Sequence, residues 1–95
     1  MTGKQRAYLR SLANTVPAQH QIGKGGAESP ALLKMLSDAL EANELIKIHV
    51  LNNCDYTPKE ICAMLAEALG AEPVQVIGQK VVLYRPSEKH PTIII

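Results

Sequence analysis

Two helix starts are spelled out in this chain, with a strand pattern between them, and that arrangement limits the folds open to it. Ser29-Pro30 sets a good N-cap before a proline at the first helical position, and Thr57-Pro58-Lys59-Glu60 does the same with a glutamate placed to close a capping box. Between them, Glu44 to Leu51 alternates Ile46, Ile48 and Val50 with Lys47 and His49, the period-two pattern of a strand. Asn52-Asn53-Cys54-Asp55 then ends it with turn chemistry. A strand set between two capped helices needs crossover connections, which points to an α/β sheet.

The remaining segments fit that frame. Thr2-Gly3-Lys4-Gln5 has the form of a second capping box, opening a helix from about Gly3 to Asn14 that buries Leu9, Leu12 and Ala13, with Val16 just beyond. Pro17 blocks further helix, and Ala18 to Ile22 reads as a short strand. The helix from Ser29-Pro30 runs to about Asn43 on Leu32, Leu33, Leu36, Ala39 and Leu40. The third helix packs Ile61, Met64, Leu65, Ala68 and Leu69 and stops at Gly70, a normal C-cap residue. Val74 to Ile77 and Val81 to Tyr84 are separated by three residues and form an antiparallel hairpin. The expected fold is α/β: one domain of order α-β-α-β-α-β-β, with a four-stranded mixed sheet and helices packed on it in one layer arrangement. Residues 1–86 form its core. The polar segment from Arg85 and the apolar end at Thr92 to Ile95 leave 87–95 as a C-terminal tail that folds back or marks a boundary.

Composition narrows the chemistry. The two cysteines, Cys54 and Cys62, and the three histidines, His20, His49 and His90, make no zinc spacing. Both thiols are expected to be reduced, with Cys62 packed on its helix. No apolar run is long enough to span a bilayer, so a soluble cytoplasmic protein is expected. The net charge is only +1, but it is unevenly spread. Residues 1–34 carry five lysines and arginines against Glu28 alone, and residues 35–72 carry Lys47 and Lys59 against seven carboxylates. Residues 73–95 are basic again, through Lys80, Arg85 and Lys89 against Glu88. Such segregation fits one face for a polyanion and another turned to solvent.

The candidate site is Gly23-Lys24-Gly25-Gly26, between the first strand and the second helix. Three glycines in four positions allow positive φ and close approach by a partner, and one lysine with exposed N–H groups suits an anion such as phosphate. The helix that follows adds its dipole, and Lys34, one turn in, is placed to reach back to the loop. Arg6 and Arg10, spaced i, i+4, share one side of the first helix, with Lys4 and Tyr8 expected to border that side. No nucleophile stands beside a base at motif spacing, no Walker or Rossmann fingerprint occurs, and Glu60 is accounted for as a cap. There is no Trp or Phe, only Tyr8, Tyr56 and Tyr84, so an aromatic platform for stacked bases is not expected. Structured RNA, which shows its phosphates and 2′-hydroxyls, suits such a surface. A glycine loop clamping a nucleotide backbone is also the device of KH domains, where it joins two helices.

Several stretches resemble a known family. The opening Met1-Thr2-Gly3-Lys4-Gln5-Arg6-Ala7-Tyr8-Leu9-Arg10, the loop Gln21-Ile22-Gly23-Lys24-Gly25-Gly26, the run Glu44-Leu45-Ile46-Lys47-Ile48, and Gln75-Val76-Ile77-Gly78 with Val82-Leu83-Tyr84-Arg85 are similar to the CRM domain. That is the RNA-binding module of bacterial YhbY-type proteins and plant organelle splicing factors. The resemblance covers nearly the whole chain, in order. It implies the element order above, a fold similar to the C-terminal domain of translation initiation factor 3, and binding of structured ribosomal RNA in precursors of the large (50S) subunit during ribosome assembly. The family's G-x-x-G loop falls on Gly23, Lys24, Gly25 and Gly26, and its basic first helix on Lys4, Arg6 and Arg10. The third loop position is glycine here, where many members carry asparagine or a similar polar residue.

The leading expectation is therefore a monomeric, non-enzymatic RNA-binding protein with no cofactor, metal or membrane partner. Lys24 and the loop amides hold the sugar-phosphate backbone, Lys4, Arg6 and Arg10 neutralise neighbouring phosphates, and Lys34 and Lys47 extend the surface. Two rivals differ in class. A small enzyme binding a substrate phosphate at the loop would use His20 as its base. A protein-interaction module would use the acidic middle segment.

Overall fold

The computed structural model describes residues 2–24, 29–89, 91 and 93. Three helices and four strands follow in the expected order: α1 (Gly3–Ala13), β1 (Ala18–Ile22), α2 (Pro30–Asn43), β2 (Leu45–Val50), α3 (Pro58–Leu69), β3 (Glu72–Ile77) and β4 (Lys80–Tyr84). Local chemistry sets the helix ends. Thr2 and Thr57 each cap the third helical N–H and receive the side chain of Gln5 or Glu60 in return, closing both capping boxes. Ser29 Oγ accepts from the Leu32 N–H at 3.3 Å. Gly70 ends α3 at φ +62°, the left-handed conformation that favours glycine.

The strands assemble as β1-β2-β4-β3. β1 and β2 are parallel, and β4 runs antiparallel to both β2 and β3. The crossover through α3 thus steps over one position, and the hairpin returns β4 into the gap. The reason lies in the two hairpin strands. Val81, Val82, Leu83 and Tyr84 are all buried, so β4 needs cover on both faces. Pro73 cannot donate to a ladder on both sides, and the β3 register shifts between Pro73 and Gln75, so β3 takes the edge.

The helices cover both faces of the sheet, which makes three layers. On one face, α2 and α3 bury Leu36, Leu40, Ile61 and Leu65 against Ile22, Ile46, Ile48, Val50, Val81 and Leu83. On the other, α1 sets Leu9 and Ala13 against Leu45, Val74, Val82 and Tyr84. Cys62 is buried on α3, Cys54 is half-buried, and both are free.

The C-terminal segment folds back onto the end of α2. Glu44, 1% exposed, adopts φ 67° beyond the last turn of α2, and its carboxylate accepts the N–H groups of Ser87 at 3.0 Å and Ile93 at 2.9 Å. One turn earlier, Glu41 accepts the Ser87 hydroxyl and the N–H groups of Glu88 and Lys89. Ile93 packs against the α1 core. Much of the acidic middle segment therefore serves the fold.

Candidate nucleic-acid interface

The face carrying α1 is only half covered. Alternation along β2 puts Leu45, Lys47 and His49 on this face, and α1 sits over the half that holds Leu45, Val82 and Tyr84. The next row crosses all four strands: Gln21 pairs with His49, His49 with Lys80, and Lys80 with Ile77. Its members range from half-buried His49 to exposed Lys80 and Ile77, the last 59% exposed. Lys47, opposite Val82, lies between this row and α1.

The same end of the sheet gathers three connections. β1 and β2 are parallel, so their C-terminal ends, and the helix starts that follow, lie at one edge. The Leu51 N–H donates to the Ile22 carbonyl at 2.8 Å, and the Val50 N–H donates to Gln79 in the β3–β4 turn at 2.7 Å. Gly23 and exposed Lys24 follow Ile22 directly. From Leu45 beneath α1 to Val50 beside this edge is about 17 Å along the strand. Lys47 and Lys80 thus lie on this face, with Lys24 following β1 at the same end of the sheet as Lys80.

Not every expected site residue keeps its expected place. Gly25 and Gly26 lie outside the described residues. Gly23 has no left-handed φ, and an added Cβ would meet Asn53 Oδ1 at 3.4 Å and Leu51 Cδ1 at 3.6 Å, ordinary contacts. Neither backbone conformation nor internal packing requires glycine there. Arg6 and Arg10 do share a flank of α1, but Lys4 and Tyr8 do not border it. Successive helical residues turn about 100°, so positions two apart point nearly opposite ways, and Leu9 and Ala13 face the sheet between the two flanks. Lys34 does not reach back to the loop: its Nζ pairs with Asp38, one turn further along, at 3.3 Å, with the lysine side chain 79% exposed. Arg85 is also removed from any basic surface, because its guanidinium donates to the Leu69 carbonyl and to Ser37.

The sequence alone does not single out His49 and Lys80: it shows His49 as part of a strand's alternation and Lys80 as one of the basic residues of 73–95. Their juxtaposition depends on the β2–β4 register, which no local pattern encodes. Of the tyrosines, Tyr8 is 46% exposed, Tyr56 is half-buried and Tyr84 is buried. Burial, then the nearby Glu44 carboxylate, push the Tyr84 hydroxyl's pKa up. Among the described residues, no group of three or more His, Cys, Asp or Glu could hold a metal ion. Among them, too, no helix is long and apolar enough to cross a membrane.

A model of the CRS1 / YhbY (CRM) domain matches residues 1–85. The chain belongs to the CRM domain family. Its relatives match over nearly the whole of this chain. It is 39% identical to the Bacillus subtilis (strain 168) protein named "Probable RNA-binding protein YqeI", over 98% of this chain and 96% of that one. It is 33% identical to an RNA-binding protein of Haemophilus influenzae, covering 94% of this chain and 89% of the relative. A Methanocaldococcus jannaschii relative, named "Probable RNA-binding protein MJ0652", is 36% identical over 93% of this chain and 66% of its own length. The solution structure of the hypothetical protein SAV1595 from Staphylococcus aureus superposes with a TM-score of 0.78 at 48% identity, covering 94% of this CRM domain and 92% of that chain.

Proposed function

We propose that this protein binds structured RNA, and that its target is ribosomal RNA in large-subunit precursors during ribosome assembly. It acts as a cytoplasmic, monomeric, non-enzymatic binding module. The G-x-x-G loop (Gly23, Lys24, Gly25, Gly26) holds the sugar-phosphate backbone through Lys24 and the loop amides. Arg6 and Arg10 neutralise phosphates at the other end of the same face, with Lys47 and Lys80 between them. Lys4 serves phosphates on the second flank of α1. Lys34 contributes charge alone, because its ammonium is already paired with Asp38.

What supports the reading is that Lys47 and Lys80 lie on the open half of one sheet face, at whose far end the chain enters the glycine loop. The names of the relatives support RNA as the polyanion. Phosphate contacts of this kind set affinity and register, and A-form geometry supplies the selectivity. Rivals gain less. Glu41, Glu44 and Glu60 are engaged within the fold, which thins the acidic surface a protein partner would need. The test is fluorescence anisotropy with fragments of large-subunit ribosomal RNA beside duplex DNA of equal length. Tighter binding of the RNA is expected; equal binding, or none at low salt, contradicts the proposal.

A further inference from the structure

The α1 face holds a feature that its cations do not explain. β1 pairs with β2 only from Lys47 onward, so Leu45 and Ile46 have no partner in its register. A half-open cleft of about 400 Å³ remains where β1 stops short. Leu12, Val16 and Leu45 are among its apolar lining residues, and Gln19, Asn43 and Lys47 among its polar ones.

We propose that this cleft receives one unpaired nucleobase of the bound RNA, with Lys47 on that nucleotide's phosphate. The inference rests on the RNA-binding reading above. The size fits, since an apolar cavity of about 150 Å³ already holds benzene, and clefts of 300–1,000 Å³ are typical for small ligands. The chemistry fits as well. Each amide side chain offers both a donor and an acceptor, the two groups found along the edges of every base. The position fits as well, because Lys47 lines the cleft and an RNA strand running on to Lys80 along the open half of this face passes it. Bases in a helix are paired and stacked, so only a looped or bulged nucleotide can enter. A chain with no Trp or Phe gains here the base contact that it does not make by stacking. Phosphates would then set the affinity, and the cleft would select RNA carrying an unpaired nucleotide.

The experiment compares the full chain on an RNA hairpin with one bulged adenine, replaced by 2-aminopurine, and on the same hairpin without the bulge. Affinity is read by anisotropy, and methyl signals of Leu12, Val16 and Leu45 are followed by NMR. The bulged RNA should bind about tenfold more tightly, the worth of one recognised base. The three methyl groups should shift, and the 2-aminopurine emission should change with them. Gln19→Trp, which fills the cleft from an exposed strand position, should abolish the tenfold preference while keeping the salt dependence of binding. Asn43→Ala, at the exposed end of α2, should reduce the preference without disturbing the fold. Tight RNA binding with still methyl signals, or a preference that survives Gln19→Trp, overturns the base cleft and leaves the RNA-binding reading intact. No binding of either hairpin at low salt overturns both.

Discussion

The guanidinium of Arg85 donates to the carbonyl oxygen of Ser37 at 2.8 Å and to its hydroxyl at 3.1 Å. A third bond, to the Leu69 carbonyl at 2.9 Å, ties the end of α3 into the same junction. An arginine in a basic stretch of sequence thus joins α2, α3 and the end of β4, and it is committed to the fold. Arg85→Ala should cost about 2 kcal/mol, the usual worth of hydrogen bonds to a charged group. It should leave the salt dependence of RNA binding unchanged. Thermal unfolding and anisotropy on the same variant check both halves.

Gly23 gives the opposite signature. Because neither its backbone nor its neighbours exclude a Cβ, Gly23→Ala should fold with a melting temperature equal to or slightly above wild type. If the loop amides hold the sugar-phosphate backbone as proposed, RNA affinity should nonetheless fall, because the added methyl group crowds that approach. A variant that loses stability would show that the loop glycine serves the fold.

Glu41 makes the tail sensitive to acid. The Ser87 hydroxyl, then the Glu88 N–H, hold its carboxyl below the ordinary value of 4.5. A depressed folded-state pKa contributes stability that is present above the unfolded value and is lost as pH falls through the folded one. The amide signals of Glu88 and Lys89, whose N–H groups the Glu41 carboxylate accepts, should therefore move together with a midpoint below 4.5. In Glu41→Gln they should be displaced at every pH. A wild-type midpoint above 4.5 would contradict this account.

The two thiols should also separate. Burial pushes the Cys62 thiol up, which disfavours the reactive thiolate, whereas Cys54 is half-buried in the loop after β2. Iodoacetamide should alkylate Cys54 in the native protein and reach Cys62 only on unfolding, as peptide mass analysis would record.

What could be read from the chain was local. Thr2 with Gln5, Ser29 with Pro30, Thr57 with Glu60, and Gly70 each satisfy orphan backbone groups within a few residues, so element order and most boundaries followed directly. The insertion of β4 between β2 and β3 was less visible, because a hairpin closes equally well on either side of its partner. The fates of Arg85, Lys34 and Glu44 were hidden for a related reason. A charged side chain looks the same in sequence whether it meets solvent, a neighbouring turn or a carbonyl 48 residues away. The cleft was least legible, since it arises from where β1 stops relative to β2.

One face, from α1 to the glycine loop, is proposed to meet RNA phosphates. The most direct test is the salt dependence of binding to a large-subunit ribosomal RNA fragment, measured for wild type, Lys24→Ala and Arg6→Ala/Arg10→Ala. With about six phosphates neutralised, log K should fall against log salt with a slope of roughly −4 to −5. Each lost contact should flatten that slope by nearly one unit, with melting temperatures unchanged. A slope identical in all three proteins would contradict the account, because it would place the RNA on another surface.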